Sequence, residues 1–182
     1  GRHKLLAEFG GVALVRRLAQ AACDSDVADL VVVTGHRAPE IEAALAGLPA
    51  EIAHNPHFAT GMASSLIAGF ASEAAAEAEG ILVMLADMPA VTAADLTALI
   101  DAFRAAGGQA IVRAVAGGAP GNPVILPALL REEVMRLEGD VGARHLIDAA
   151  GLPVIEVEIG ESARLDVDTA EAVAAAGGIL KR

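Results

Sequence analysis

Aromatic side chains are nearly absent from this sequence, which has four Phe, no Trp and no Tyr, or 2% of its residues. The stacking platforms that single-stranded nucleic-acid binders rely on cannot be assembled from so few rings. Positive charge is also scarce: Lys and Arg number 13 against 24 Asp and Glu, a formal net charge of −11. Such a field repels nucleic acid and anionic membranes, so neither is an expected partner. The single cysteine, Cys23, excludes an intramolecular disulfide and a thiolate metal site, and a reducing, cytoplasmic setting is the expectation. Hydrophobic residues reach 54%, but much of the excess is alanine, and no apolar run approaches the roughly 20 residues of a membrane span. A secretory core is missing from the first nine positions, where Arg2, His3 and Lys4 are followed only by Leu5, Leu6 and Ala7 before Glu8.

What is present fits one domain spanning 1–182. Val12, Leu14, Val15, Leu18, Ala19 and Ala22 recur at helical spacing. The spacing predicts strands over 30–33, 51–54 and 81–86, with helices over 41–46, 61–76 and 92–106 between and after them. Apolar throughout, 81–86 reads as a central strand covered on both faces. Further strands are expected over 110–115, 123–126, 154–159 and 165–167, with helices starting at Pro127 and covering 169–176. Strands alternating with helices argue for a three-layer α/β/α, Rossmann-like domain, its sheet mostly parallel with an antiparallel strand among the later ones.

In such sheets ligands sit beyond the carboxyl ends of the strands, so the residues just after each strand deserve attention. Asp87 closes the most apolar strand, and Pro89 holds Met88 extended. A carboxylate there suits Mg²⁺, which usually binds through one or two carboxylates plus substrate phosphates. Thr92, with Asp95 three residues on, resembles a capping box and leaves Asp87 without a capping task. Asp166 and Asp168, two apart on an extended segment, project to one side. Asp168 also precedes Glu171 at capping spacing, so helix capping and metal binding are equally available to it. Gly61-Met62-Ala63-Ser64-Ser65 opens a helix whose free N–H groups could receive a phosphate, although an ordinary capped helix start accounts better for this segment taken alone. Lys4 and Arg144 are the basic candidates, with solvated surface charge as the plain alternative. His36, His54, His57 and His145 are too scattered for a zinc signature, and no Ser, His and Asp set has a nucleophile-elbow context.

Taken in order, Gly1-Arg2-His3-Lys4-Leu5-Leu6, Thr34-Gly35-His36-Arg37, Asn55-Pro56 with Gly61-Met62 and Ser64-Ser65-Leu66, Leu85-Ala86-Asp87-Met88-Pro89, Pro120-Gly121-Asn122-Pro123, Gly139-Asp140 with Gly142-Ala143-Arg144, and Asp166-Val167-Asp168-Thr169 resemble the motifs of the MobA-like nucleotidyltransferases. Within that family the chain looks most like the molybdenum cofactor cytidylyltransferases. The resemblance implies transfer of CMP from CTP to the phosphate of molybdopterin, with Mg²⁺ as cofactor and a molybdoenzyme as a conceivable recipient. It implies that Asp87 and Asp168 hold the metal with Asp166 in support, that Lys4 stabilises phosphate charge, that Asn55, Gly61, Ser64 and Ser65 lie near the nucleotide, and that Asn122, Pro123 and Arg144 lie on the acceptor side. It further implies that a first strand and a Gly-rich, nucleotide-cradling loop precede Gly1, which together with Lys4 would close that loop's signature. The family usually continues Asp-Thr with Pro-Glu-Asp, whereas here Ala170-Glu171-Ala172 follows. A guanylyltransferase, a sugar-phosphate nucleotidyltransferase and a non-catalytic cofactor carrier are the alternatives.

Overall fold

The computed structural model describes residues 3–180. Its elements are β1 (Glu8–Phe9), β2 (Val12–Ala13), α1 (Leu14–Cys23), β3 (Val31–Thr34), α2 (Ala38–Leu45), β4 (Glu51–His54), α3 (Met62–Phe70), α4 (Glu73–Ala76), β5 (Gly80–Val83), α5 (Ala93–Ala105), β6 (Ile111–Ala116), β7 (Ala119–Pro127), α6 (Arg131–Met135), α7 (Ala143–Ala149), β8 (Val154–Glu158) and α8 (Ala170–Ala175). Gly1 and Arg2, the opening of the first motif, lie outside the described residues.

The main ladder runs β5-β7-β6-β8, and β3 pairs with β4 in a separate parallel ladder. Both β5 and β6 are antiparallel to β7, and β8 is parallel to β6. Within this sheet β7 is therefore the one reversed strand, as the fold class requires. Its residues alternate between two helical layers. Val124 and Leu126 pack with Leu66 and Phe70 of α3, Val134 of α6, and Leu146 and Ile147 of α7. Ile125 packs with Leu99, Ile100 and Phe103 of α5 on the opposite face. Period-two alternation thus buries both faces and builds three layers. Losing a side chain such as the fully buried Leu126 would cost roughly 2–5 kcal/mol. The expected capping box is formed, with Asp95 N–H donating to the Thr92 hydroxyl (3.3 Å) and Thr92 N–H to the Asp95 carboxylate (2.9 Å).

Several expectations need correction. The strand expected over 81–86 is laddered only to Val83, and it is the half-buried edge of its sheet instead of a covered central strand. The helix over 61–76 is two helices. Ser72 caps the second by accepting from Ala75 N–H (3.3 Å), and Arg131 donates to the carbonyls of Phe70 and Ala75 across the break. Pro127 both ends β7 and stands at the N-cap of the 3-10 turn Ala128–Leu130 that leads into α6, its fixed φ and absent N–H being tolerated at that junction. Segment 165–167 joins no ladder. Val167 is fully buried, whereas Leu165, two residues before it, is 41% exposed.

Candidate functional site

Three charged side chains distant in sequence meet beyond the carboxyl end of β5. Lys4 Nζ donates to Asp87 Oδ2 at 2.7 Å and to Asp168 Oδ1 at 2.5 Å. Apolar packing brings them together. Met88 beside Asp87 and Val167 beside Asp168 belong to one buried cluster with Leu14, Leu18, Leu96 and Val173, and Val167 N–H donates to the Asp87 carbonyl at 2.9 Å. The 3-10 turn Lys4–Leu6 is tied by Ala7 N–H to the Lys4 carbonyl (3.1 Å), while Leu5 and Leu6 pack against α1 and α2.

Helix capping falls to Thr169, whose hydroxyl accepts from Ala172 N–H (3.1 Å), so Asp168 sits one residue outside the cap with its carboxylate directed to Lys4. Asp166 does not complete a three-carboxylate cluster. Among the described residues no three His, Cys, Asp or Glu side chains converge closely enough to hold a metal ion. Two carboxylates still match the way Mg²⁺ is usually held when substrate phosphates complete its coordination. The fit shows at one atom: Asp87 Oδ1 is buried and accepts no hydrogen bond. A buried acceptor without a partner costs roughly 1–3 kcal/mol, and a hard cation is the ligand it suits.

Electrostatics bind the trio. Burial alone would lower the Lys4 pKa, but the hydrogen bonds to Asp168 and Asp87 and the two negative charges outweigh it and raise the value above the ordinary 10.5. The hydrogen bond from Lys4 and its charge lower the Asp168 pKa below 3.8, with a smaller contribution from Asp166.

A second group surrounds the start of α3. Asn55 is buried; its side-chain amide donates to Ser64 Oγ (2.9 Å) and Ser65 Oγ (3.1 Å), and its carbonyl oxygen accepts from His57 N–H (2.9 Å). The Ser64 hydroxyl also lies 2.9 Å from the Gly61 carbonyl and 3.0 Å from that of His57. Gly61 is required here by its φ of 122° and by crowding, since a Cβ would stand 2.4 Å from the Gly139 carbonyl carbon. Ala63 N–H donates to the Gly139 carbonyl (3.2 Å) and Met62 N–H to Asp140 Oδ1 (3.3 Å). The helix start that could have received a phosphate is therefore covered by the protein's own Asp140, a contact that no local signal in the sequence assigns. The two groups are linked by rings: His3, preceding Lys4, stacks on His36 after β3 (centroids 5.8 Å apart), which meets Phe58 at 5.9 Å.

Of the residues the resemblance assigns to the acceptor, Asn122 and Pro123 precede the Val83–Val124 pair on β7, at the end of the sheet that leads to Asp87. Gly121 lies against the segment before Asp166, so close that a Cβ would come within 2.2 Å of the Ala163 carbonyl oxygen. Arg144 is exposed in the first turn of α7 and has no ion-pair partner among the described residues. A cavity of about 540 Å³ lies instead at the amino ends of β3 and β4. Its acidic walls, which include Asp29, Glu51 and Glu73, are unsuited to a triphosphate.

An α/β/α sheet with one reversed strand and a carboxylate pair at its carboxyl end defines a nucleotidyltransferase architecture. Residues 1–154 match the MobA-like NTP transferase domain, and the chain belongs to that family. It is similar to Rv0371c from Mycobacterium tuberculosis H37Rv, at 26% identity and a TM-score of 0.81 over 97% of this chain and 90% of that one. A second structure of Rv0371c, in complex with manganese, matches with a TM-score of 0.77 at 26% identity, over 96% and 92% of the two chains. Among curated proteins, the bifunctional protein GlmU of Sphingopyxis alaskensis is 29% identical over 60% of this chain, which spans about a quarter (24%) of GlmU's length. A CMP:2-keto-3-deoxy-manno-octonic acid synthetase solved with CTP shares the fold alone, with a TM-score of 0.73 at 14% identity over 95% of this chain and 89% of that one.

Proposed function

We propose that this chain transfers CMP from CTP to the phosphate of molybdopterin, releasing pyrophosphate, with Mg²⁺ as its metal. The observation that carries the reading is the convergence of Lys4, Asp87 and Asp168 beyond β5, with a buried carboxylate oxygen left without a partner. A phosphate oxygen of the acceptor attacks the α-phosphorus of CTP, and the bond from that phosphorus to the bridging oxygen of the β-phosphate breaks, so pyrophosphate carries away the electron pair. Because the second ionisation of a phosphomonoester lies near about pH 6, the nucleophile is already anionic and needs no general base. Positioning and charge neutralisation then carry most of the catalysis.

Asp87 and Asp168 would hold the cation, which supplies charge neutralisation on the triphosphate when bound. Lys4 would reach the phosphates, and Asn122, Pro123 and Arg144 would face the acceptor. The Asn55 network would shape the nucleotide loop, with Gly61, Ser64 and Ser65 near the nucleotide. The motif series supports the molybdopterin branch. The manganese complex of Rv0371c and the CTP-bound synthetase of the same fold support the metal and the class of nucleotide. The test is pyrophosphate release with each NTP in the presence of Mg²⁺ and molybdopterin. Release with CTP alone is expected. Release with GTP alone would make the protein a guanylyltransferase, release only with a sugar phosphate would move the acceptor, and molybdopterin binding without release would make it a carrier.

A further inference from the structure

In the metal-free chain, we infer, Lys4 is the internal counter-ion of the carboxylate pair, holding the place of the divalent cation and giving it up when that cation binds. The inference rests on the reading of Asp87 and Asp168 as metal ligands and adds what the chain does before the metal arrives. Two carboxylates drawn together by the packing of Met88 and Val167 would repel each other unless a cation stood between them. Lys4 Nζ stands there, 2.7 Å from one and 2.5 Å from the other. It satisfies only one oxygen of Asp87 and leaves Oδ1 buried and unpartnered, so the ammonium is an incomplete substitute. An ammonium has three donors at fixed angles, whereas a hard cation accepts more oxygen ligands and carries twice the charge.

The exchange has a structural path. Lys4 opens a single 3-10 turn whose inner end is fixed by the fully buried Ala7. Its four-carbon stem can therefore swing while the turn stays docked. The released ammonium then lies beside the metal, on the side where triphosphate charge must be neutralised. Metal entry and the freeing of a phosphate-binding cation become one event.

Two measurements on the full chain without nucleotide test the exchange. In calorimetric titrations with Mn²⁺, Lys4→Met should bind the metal more tightly than the unsubstituted chain, on the order of tenfold, while Lys4→Arg should show no gain. Equal or weaker binding by Lys4→Met would overturn the exchange. In the unsubstituted chain, nitrogen-15 NMR of the Lys4 ammonium during Mg²⁺ titration should show its protected signal lost with the midpoint of metal binding. A signal that persists at saturation would overturn the exchange whether or not the variants fold. Mn²⁺ binding that survives Asp87→Asn combined with Asp168→Asn would instead refute the placement of the metal, and the exchange with it.

Discussion

The two polar groups at the carboxyl ends of the strands are built in opposite ways. The side-chain hydrogen bonds of Asn55 itself span 10 residues or fewer, and the amide satisfies both its donors and its acceptor between its own loop and the first turn of α3. Around Asp87 the contacts span 83 and 164 residues, and one buried oxygen remains unsatisfied. A closed local network shapes the backbone. An open, long-range one waits for a ligand, because a buried acceptor persists at a cost only where something else offsets it.

Substitutions at the two sites should therefore break different properties. Asp168→Asn should lower pyrophosphate release by about 10²–10³-fold with little change in melting temperature, since its carboxylate is exposed and no longer caps a helix. Steady-state kinetics alongside a thermal melt would show the split. Asn55→Ala should show its effect first in stability, costing roughly 1–3 kcal/mol by stranding Ser64, Ser65 and the His57 N–H, as chemical denaturation would read. A smaller effect is expected at Thr169. Removing its cap by Thr169→Ala should cost about 1 kcal/mol, lowering the melting temperature by about 2–4 °C.

The smallest effect is in pH dependence. Asp168 has its pKa lowered below 3.8, so its contribution to stability is present above that value and is lost as the pH falls through the lower folded value. Lys4 has its pKa raised above 10.5, so its contribution is present below that value and is lost as the pH rises through the higher folded value. Melting-temperature differences between the unsubstituted chain and Lys4→Met should accordingly be widest between about pH 5 and 9 and narrow at both extremes.

Local features were legible because local physics sets them. The 51–54 strand, the α1 periodicity and the Thr92–Asp95 capping box all appear where spacing placed them. Failures arose where a partner elsewhere decides the outcome. Whether 84–86 joins a ladder depends on a neighbouring strand, and whether 165–167 is a strand depends on an edge it never reaches. Asp168 could equally have been a cap from its spacing to Glu171, and only the Thr169 bond to Ala172 assigns that task. Lys4 was a basic candidate with solvated surface charge as its plain alternative, and only the resemblance gave it a role, since no local pattern tells which of 13 basic side chains folds onto two carboxylates. Asp140 stood in the Gly139-Asp140 motif, but its contact with the start of α3 was not legible for the same reason, because it crosses 78 residues.

Asp87 is where the packing, the charge and the unsatisfied oxygen coincide, so its carboxylate is the group on which nucleotidyl transfer should depend. The decisive measurement is pyrophosphate release from CTP in the presence of Mg²⁺ and molybdopterin by Asp87→Asn, an isosteric change that keeps the fold and removes the charge. Release should fall to the background of the uncatalysed mixture while the circular dichroism spectrum stays that of the unsubstituted chain. Turnover equal to that of the unsubstituted chain would show that the chemistry lies elsewhere.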